Sequence, residues 1–372
     1  MKACNKIQTT KRSYNQGSIV YEKERNKYRA AITINGSRYR KRFDTKPAAI
    51  DWLSRQRIAI ADGNFIAPLN ITVGEWTIEF LRTFKKPVLK PRTYERYLQT
   101  LAHVAPISDI PIQKLAATQV QKLYNSLTPN TAKKVHVLLH SAFQQAVDLD
   151  MLHKNIIHLV KPPKIVRKEP EIFTRENIRE LLQTCLKSKN LVSYYPIFLM
   201  AAETGMRRGE ILGLRWCDVD LQNGTIHICQ QLQQLTSSKI IFETPKTKAG
   251  NRKISIPPSI IKTLGALKSG ERSIDIKQEM LCFKSKNNTP VRPEAIERAW
   301  KMLFSLCPNI PYRNFHVLRH THATLLLAAG IPIIEVARRL GHSRVSHTLE
   351  LYGHAIPNYD QKITEKITQI YG

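Results

Sequence analysis

Residues 316–352 read HVLRHTHATLLLAAGIPIIEVARRLGHSRVSHTLELY. This stretch sets His316, Arg319 and His320 close together, then Leu340-Gly341-His342, then Tyr352 ten residues past His342. Upstream, Thr204-Gly205-Met206-Arg207-Arg208-Gly209-Glu210 supplies a second arginine in an apolar helical context. Arg207 and Glu210 are three apart, so on a helix they share a face; His316 and Arg319 have the same spacing. Two guanidiniums can hold the non-bridging oxygens of a phosphodiester in bidentate fashion. A phenol can attack its phosphorus, and imidazoles can move the protons.

That chemistry makes four demands. A nucleophile must stand in line with the leaving oxygen, and positive donors must take up charge on the equatorial oxygens. An acceptor is needed for the phenol proton, and a donor for the leaving 5′ oxygen. A phenol with a pKa of about 10 is a poor nucleophile at neutral pH without nearby cations or a base.

Composition points to the same partner. The chain has 372 residues, enough for two or three domains. Lys and Arg number 58 against 29 Asp and Glu, a formal net charge of +29, and the pI is near 10. The basic residues are spread along a chain of ordinary apolar content, so nucleic acid is the expected partner. No stretch approaches the roughly 18 apolar residues of a membrane span. The segment from Met1 to Lys6 lacks an apolar core, which argues against a secretory signal. The six cysteines are scattered, with no CxxC pair to suggest zinc or redox work. Reduced thiols, a cytoplasmic location, no membrane partner, no metal and no cofactor are expected.

Three folded units are expected. In residues 1–66 the folded part starts near residue 14. Strands are expected at Gly17–Tyr21, Lys27–Ile34 and Ser37–Phe43, with Asn35-Gly36 as a hairpin turn. A helix follows from Pro47, capped by Thr45. One face of this sheet would carry Arg38, Arg40 and Arg42, an array able to lie in a DNA groove.

Residues 72–160 read as a helical bundle. Thr72-Val73-Gly74-Glu75 is a capping box, Lys90-Pro91 starts a second helix, Thr118 caps a third, and Ala132–Asp148 is a fourth. Lys90, Arg92, Lys133 and Lys134 stand near helix starts, where phosphate contacts are favoured. Residues 161–170, basic and proline-rich, form a semi-rigid linker.

Residues 171–372 read as mostly helical around a β section with strands at Thr225–Ile228, Lys239–Phe242 and Arg252–Ile256. Helices are expected from Pro258, Pro293 and Asn314, and over Ile333–Leu340 and Ser346–Tyr352. Arg338, Arg339, Arg344 and His347 are expected to face DNA or solvent. The fold class is multi-domain and mainly α: a three-stranded sheet plus helix, a helical bundle, and an α+β C-terminal domain.

On these motifs the chain resembles the tyrosine recombinases of the phage-integrase family, in particular integrases of temperate phages and integrative conjugative elements. The resemblance covers nearly the whole length. It implies an arm-type DNA-binding domain, a core-binding domain and a catalytic domain, the last two forming a C-shaped clamp on the crossover site. The stretch at 204–210 is similar to the family's first-arginine motif, which gives Arg207 that role and Glu210 a supporting one. His316-Val317-Leu318-Arg319 is similar to its HxxR motif, and Leu340-Gly341-His342 to its third-position histidine. Tyr352 matches the nucleophile. Lys246, in Thr244-Pro245-Lys246-Thr247-Lys248, lies where the family places its acid lysine, with Lys248 as the alternative.

The resemblance further implies that Arg207, Arg319 and His342 bind the scissile phosphate. Lys246 would protonate the leaving oxygen, and His316 would act as general base or hydrogen-bond partner. His320 and His322 are expected in packing or supporting positions. The implied partners are double-stranded DNA at arm-type and core-type sites, a homotetramer on that DNA, a DNA-bending host factor and an excision factor. The segment from Asp360 to Tyr371 would dock on a neighbouring subunit. Two alternatives share parts of this pattern: a type IB topoisomerase-like enzyme, and a non-catalytic DNA-binding regulator.

Overall fold

The computed structural model describes residues 17–34, 36–165, 171–236, 238–245, 247–270, 280–352 and 367–371. Its contacts divide the chain into two units, Met1–Ile165 and Val166–Gly372.

The first unit opens with an antiparallel sheet of β1 (Ser18–Glu22), β2 (Lys27–Ile34) and β3 (Ser37–Phe43), in that spatial order. Gly36 has a φ of +79°, the backbone a tight hairpin needs from glycine; Asn35 lies outside the described residues. The helix α1 (Lys46–Ala61) starts where Thr45 Oγ1 accepts from Ala48 N, and it buries Ala49 and Leu53. Alternation along β3 sends Tyr39 and Phe43 to the helix side, where their rings meet Phe65 at 5.3 Å and Trp52 at 5.9 Å. Arg38, Arg40 and Arg42 therefore project from the other face, paired across the sheet with Thr33, Ala31 and Arg29.

Next come α2 (Val73–Phe80), α3 (Pro91–Leu101), α4 (Ala117–Asn125) and α5 (Pro129–Asp148). The capping box forms as expected: Glu75 N donates to Thr72 Oγ1 at 3.2 Å, and Thr72 N to Glu75 Oε2 at 2.9 Å. Trp76, Phe80, Leu123, Tyr124, Leu138 and Phe143 build the bundle core, and the Trp76 indole N–H donates to the Ala142 carbonyl at 2.8 Å. One start differs from expectation. Thr118 lies inside α4 rather than capping it, because the Gln119 side chain turns back to accept from Ala116 N at 2.9 Å and the helix begins earlier.

The second unit begins with α6 (Arg175–Lys187), α7 (Tyr195–Thr204) and α8 (Arg208–Leu212). Its strands are β4 (Val219–Asp220), β5 (Thr225–Ile228), β6 (Gln231–Gln234), β7 (Ile240–Glu243) and β8 (Arg252–Ser255). They form a three-stranded sheet of order β4-β5-β8 and a hairpin of β6 with β7. The strand β6 was not expected, since three of its four residues are glutamine; only Leu232 is buried and ties it to the core. After these come α9 (Pro258–Ser269), α10 (Pro293–Ser305), α11 (Val317–Ala328), α12 (Ile333–Leu340) and α13 (Val345–Tyr352).

The helix α7 is apolar nearly all round because it runs through the core. There Phe198 meets Trp300 edge-on at 5.0 Å, and Trp300 meets Phe315 at 5.5 Å. The helix α11 begins at Val317 rather than Asn314. Asn314 Oδ1 accepts from His316 N at 3.0 Å, a local turn that competes with the helix and leaves His316 at its entrance. A separate small core of Ala323, Leu327, Val336, Leu340 and Tyr352 joins α11, α12 and α13. Among the described residues, no helix is long and apolar enough to cross a membrane.

Candidate active site

Two left-handed turns bring the motif arginines together. Gly205 ends α7 at φ +65° and Gly341 ends α12 at φ +69°. A Cβ at Gly205 would lie 2.7 Å from His322 Cδ2, and one at Gly341 would lie 2.8 Å from Ala249 O, so both turns need glycine for space as well as backbone. Arg319, 3% exposed, reaches between them: Nη1 donates to Gly205 O at 2.8 Å and Nη2 to Leu340 O at 2.6 Å. One guanidinium thus joins the loop before Arg207 to the loop before His342. Burial and the nearby charge of Arg207 disfavour its cation, and Glu210 offsets part of that. An anion entering beside Arg319 would relieve the rest.

Arg207 caps α8 from an extended backbone, and its neighbour Arg208 turns away to pair with Glu297 on α10. Glu210 holds Arg207 twice, accepting from Nη1 at 2.7 Å and from the backbone N at 2.9 Å. Glu210 is itself 4% exposed. Burial would raise its pKa, but the Arg252 and Arg207 charges and hydrogen bonds outweigh that and hold it at about 2. It stays ionised wherever the protein works.

Arg252 is the residue that sequence reasoning missed. Its side chain donates to Glu210 at 3.0 and 3.3 Å, to Arg339 O at 2.6 Å and to Gly250 O at 3.3 Å. The signal was available in the alternation of β8, where Arg252 and Ile254 face inward and Lys253 and Ser255 outward. A charge on the inner face of a strand requires a buried partner.

Arg207, Glu210, Thr247, Gly250, Gly341, His342 and Arg344 line one cavity of about 540 Å³. His342 Nδ1 pairs with Thr348 Oγ1 at 2.7 Å, fixing the ring from α13. Lys246 lies outside the described residues; Lys248 begins the short turn Lys248–Gly250 and is exposed. His316 stands at the entrance of α11, 5.0 Å edge-on from His320. Its pKa is pushed down to about 4, first by lost solvation and then by His320, Arg319, Arg207 and Arg208. More than a third of the residue is nonetheless open to solvent.

Tyr352 is 1% exposed, and its hydroxyl sits 2.6 Å from His320 Nδ1. Burial raises its pKa, while the charges of Arg319 and Arg207 act in the opposite sense. Arg339 is not solvent-facing as expected. It donates to His322 Nε2 at 3.2 Å, to Ser255 O at 3.0 Å and to Glu203 O at 3.4 Å. The His347 side chain lies outside the described residues.

The basic residues of the first unit divide. Arg38 and Arg40 are exposed, but Arg42 and Arg29 both clasp Glu22, at 2.6 and 2.9 Å. Lys133 and Lys134 line a groove between α3 and α5 with Arg96 and Tyr97. Lys90 and Arg92 do not line it, and Arg92 approaches Glu95 at 3.9 Å. As for metals, Asp218, His227 and Cys229 have ligand atoms within 4.8 Å of one another. Arg215 already engages both Asp218 oxygens, at 2.8 and 3.1 Å, so the cluster reads as an ion pair.

Residues 171–358 match the family described as the phage integrase family. A tyrosine recombinase XerC-like protein of Caldanaerobacter subterraneus is 28% identical, over 92% of this chain and 96% of that protein. The ICEBs1 integrase of Bacillus subtilis is 27% identical, over 66% of this chain and 67% of its own. Among solved structures, the Tn1549 transposon integrase with a circular intermediate DNA is similar in fold. Its TM-score is 0.68 at 20% identity, and the match covers 80% of this chain and 99% of that one. A lambda integrase tetramer bound to a Holliday junction matches with a TM-score of 0.59 at 15% identity, over 94% and 99%.

Proposed function

The chain belongs to the phage integrase family, and from that membership we propose that it cuts and rejoins DNA through a bond between Tyr352 and a 3′ phosphate. It is a tyrosine-type site-specific recombinase, and its task is to integrate and excise a mobile element. The observation that supports the residue assignment best is the buried set around Glu210. Glu210, hydrogen-bonded to both Arg207 and Arg252, fixes the Arg207 guanidinium at the cavity that His342 also lines, an arrangement suited to one phosphate.

In this reading Arg207, Arg319 and His342 take the non-bridging oxygens. Lys246 gives a proton to the leaving 5′ oxygen, and His316 serves as base or as a hydrogen-bond donor to the phosphate. The phosphotyrosyl ester keeps the energy of the broken bond, so resealing onto another end requires neither ATP nor a metal ion. Double-stranded DNA is the substrate. Residues 1–66 take arm-type sites, 72–160 core-type sites, and 171–372 the chemistry. The working unit is a homotetramer on two DNA partners, aided by a DNA-bending host factor and an excision factor.

The decisive test uses a nicked duplex spanning the attachment junction of the element that carries the gene, so that the cleaved end diffuses away. Wild type should accumulate a covalent adduct seen on a denaturing gel. Tyr352→Phe should bind the same duplex and form none. An adduct that persists in Tyr352→Phe would refute the assignment.

A further inference from the structure

Tyr352 has a near neighbour that the motif reading gave no chemical part. His320 Nδ1 lies 2.6 Å from the phenolic oxygen, within the range of a strong hydrogen bond. The phenol is enclosed by Leu327, Val336 and Leu340, and its protonated form is favoured by that burial. A neutral buried phenol attacks phosphorus only if its proton has somewhere to go. His316 is poorly suited to receive it. Its ring lies 5.0 Å from that of His320, and the charges of Arg319, Arg207 and Arg208 oppose a further positive charge on it. A neutral His316 is better suited to donate N–H to a phosphate oxygen.

We propose that His320 is a catalytic residue that accepts the Tyr352 proton during strand cleavage. The proposal rests on the reading of Tyr352 as nucleophile. As the phenolic oxygen bonds to phosphorus, its proton passes to His320 Nδ1. The bond from phosphorus to the 5′ oxygen breaks, and that oxygen takes its proton from a separate donor, the role given to Lys246. On resealing, the proton on Nδ1 returns to the departing phenol. His316, edge-on to His320 one helical turn earlier, is left to the phosphate, which separates the two duties the HxxR histidine was expected to share.

The test measures single-turnover adduct formation on the same nicked duplex. His320→Asn keeps an acceptor near the place of Nδ1 but cannot hold a proton; His320→Ala removes both. Each should slow cleavage by roughly 10²- to 10⁴-fold, with DNA affinity and melting temperature near wild type for the Asn variant. A His320→Asn enzyme that cleaves within about threefold of wild type would overturn the proposal and leave a positioning role only.

A second substrate separates base from acid. A 5′-bridging phosphorothiolate leaves as a thiolate without needing a proton. It should not relieve the His320→Asn defect, and relief would make His320 the acid and overturn the proposal. Tyr352→Phe run in parallel keeps the two readings apart. If it still forms the adduct, the nucleophile assignment has failed; if it forms none while His320→Asn is fast, only the base assignment has.

Discussion

Glu210 and Arg252 carry the balance of charge at the residue scale. Both are nearly sealed from solvent, at 4% and 6% side-chain exposure, so each compensates the other's buried charge. Removing Arg252 leaves Glu210 to Arg207 alone, and breaking such a buried pair typically costs about 3–5 kcal/mol. Arg252→Met should therefore lose stability on that order in denaturant unfolding, and adding Glu210→Leu should restore part of it. A single variant as stable as wild type would contradict this. His322 gives a pH prediction. Its Nδ1 faces Ala202 O, so Nδ1 carries the hydrogen and Nε2 accepts from Arg339. Burial first, then Arg339, depress its pKa to about 4. The unfolded chain, titrating near 6.5, binds the proton first. Stability is complete above that pH and is lost as pH falls toward 4. Thermal melts of wild type should drop by roughly 5 °C or more across that window, and His322→Asn should flatten the dependence. The motif residues were readable because their chemistry is stated by type and spacing. His320 and Arg252 were not, since their partners lie 32 and 42 positions away.

At the scale of the element, the N-terminal sheet shows how periodicity reads a face but not a pairing. Alternation correctly put Arg38, Arg40 and Arg42 on one side of β3. Only the register with β2 and β1 brought Arg42 to Glu22, which β1 ends on and which also holds Arg29. If these arginines meet phosphates, each free one should add about 0.9 to the slope of log affinity against log salt. Arg38→Ala with Arg40→Ala should thus lower that slope by about 2 on arm-site DNA, and Arg42→Ala should lower it less. Equal effects from all three would mean that Glu22 gives up Arg42 on binding. The capping box of α2 and the proline-led starts of α3, α9 and α10 were legible because they are local, whereas α5 begins at Pro129, three residues before the expected Ala132. The strand β6 was not, because a run of glutamines has no alternation of its own and takes its conformation from β7.

Over the whole molecule, a net charge of +29 on an otherwise ordinary composition identifies a polyanion as partner. The family match covers residues 171–358, within the second unit. The amino-acid sequence alone determined the kind of protein, the spacing of its arginine, histidine and tyrosine motifs, and the starts of α2, α3, α9 and α10, because these follow from residue type and short-range spacing. Tertiary structure decided which histidine meets the tyrosine and which arginines pair with carboxylates. Those outcomes depend on how α13 packs on α11 and how β8 lies beside α8. A side chain's partner is set by the direction from which another element arrives, and no short-range pattern contains that direction.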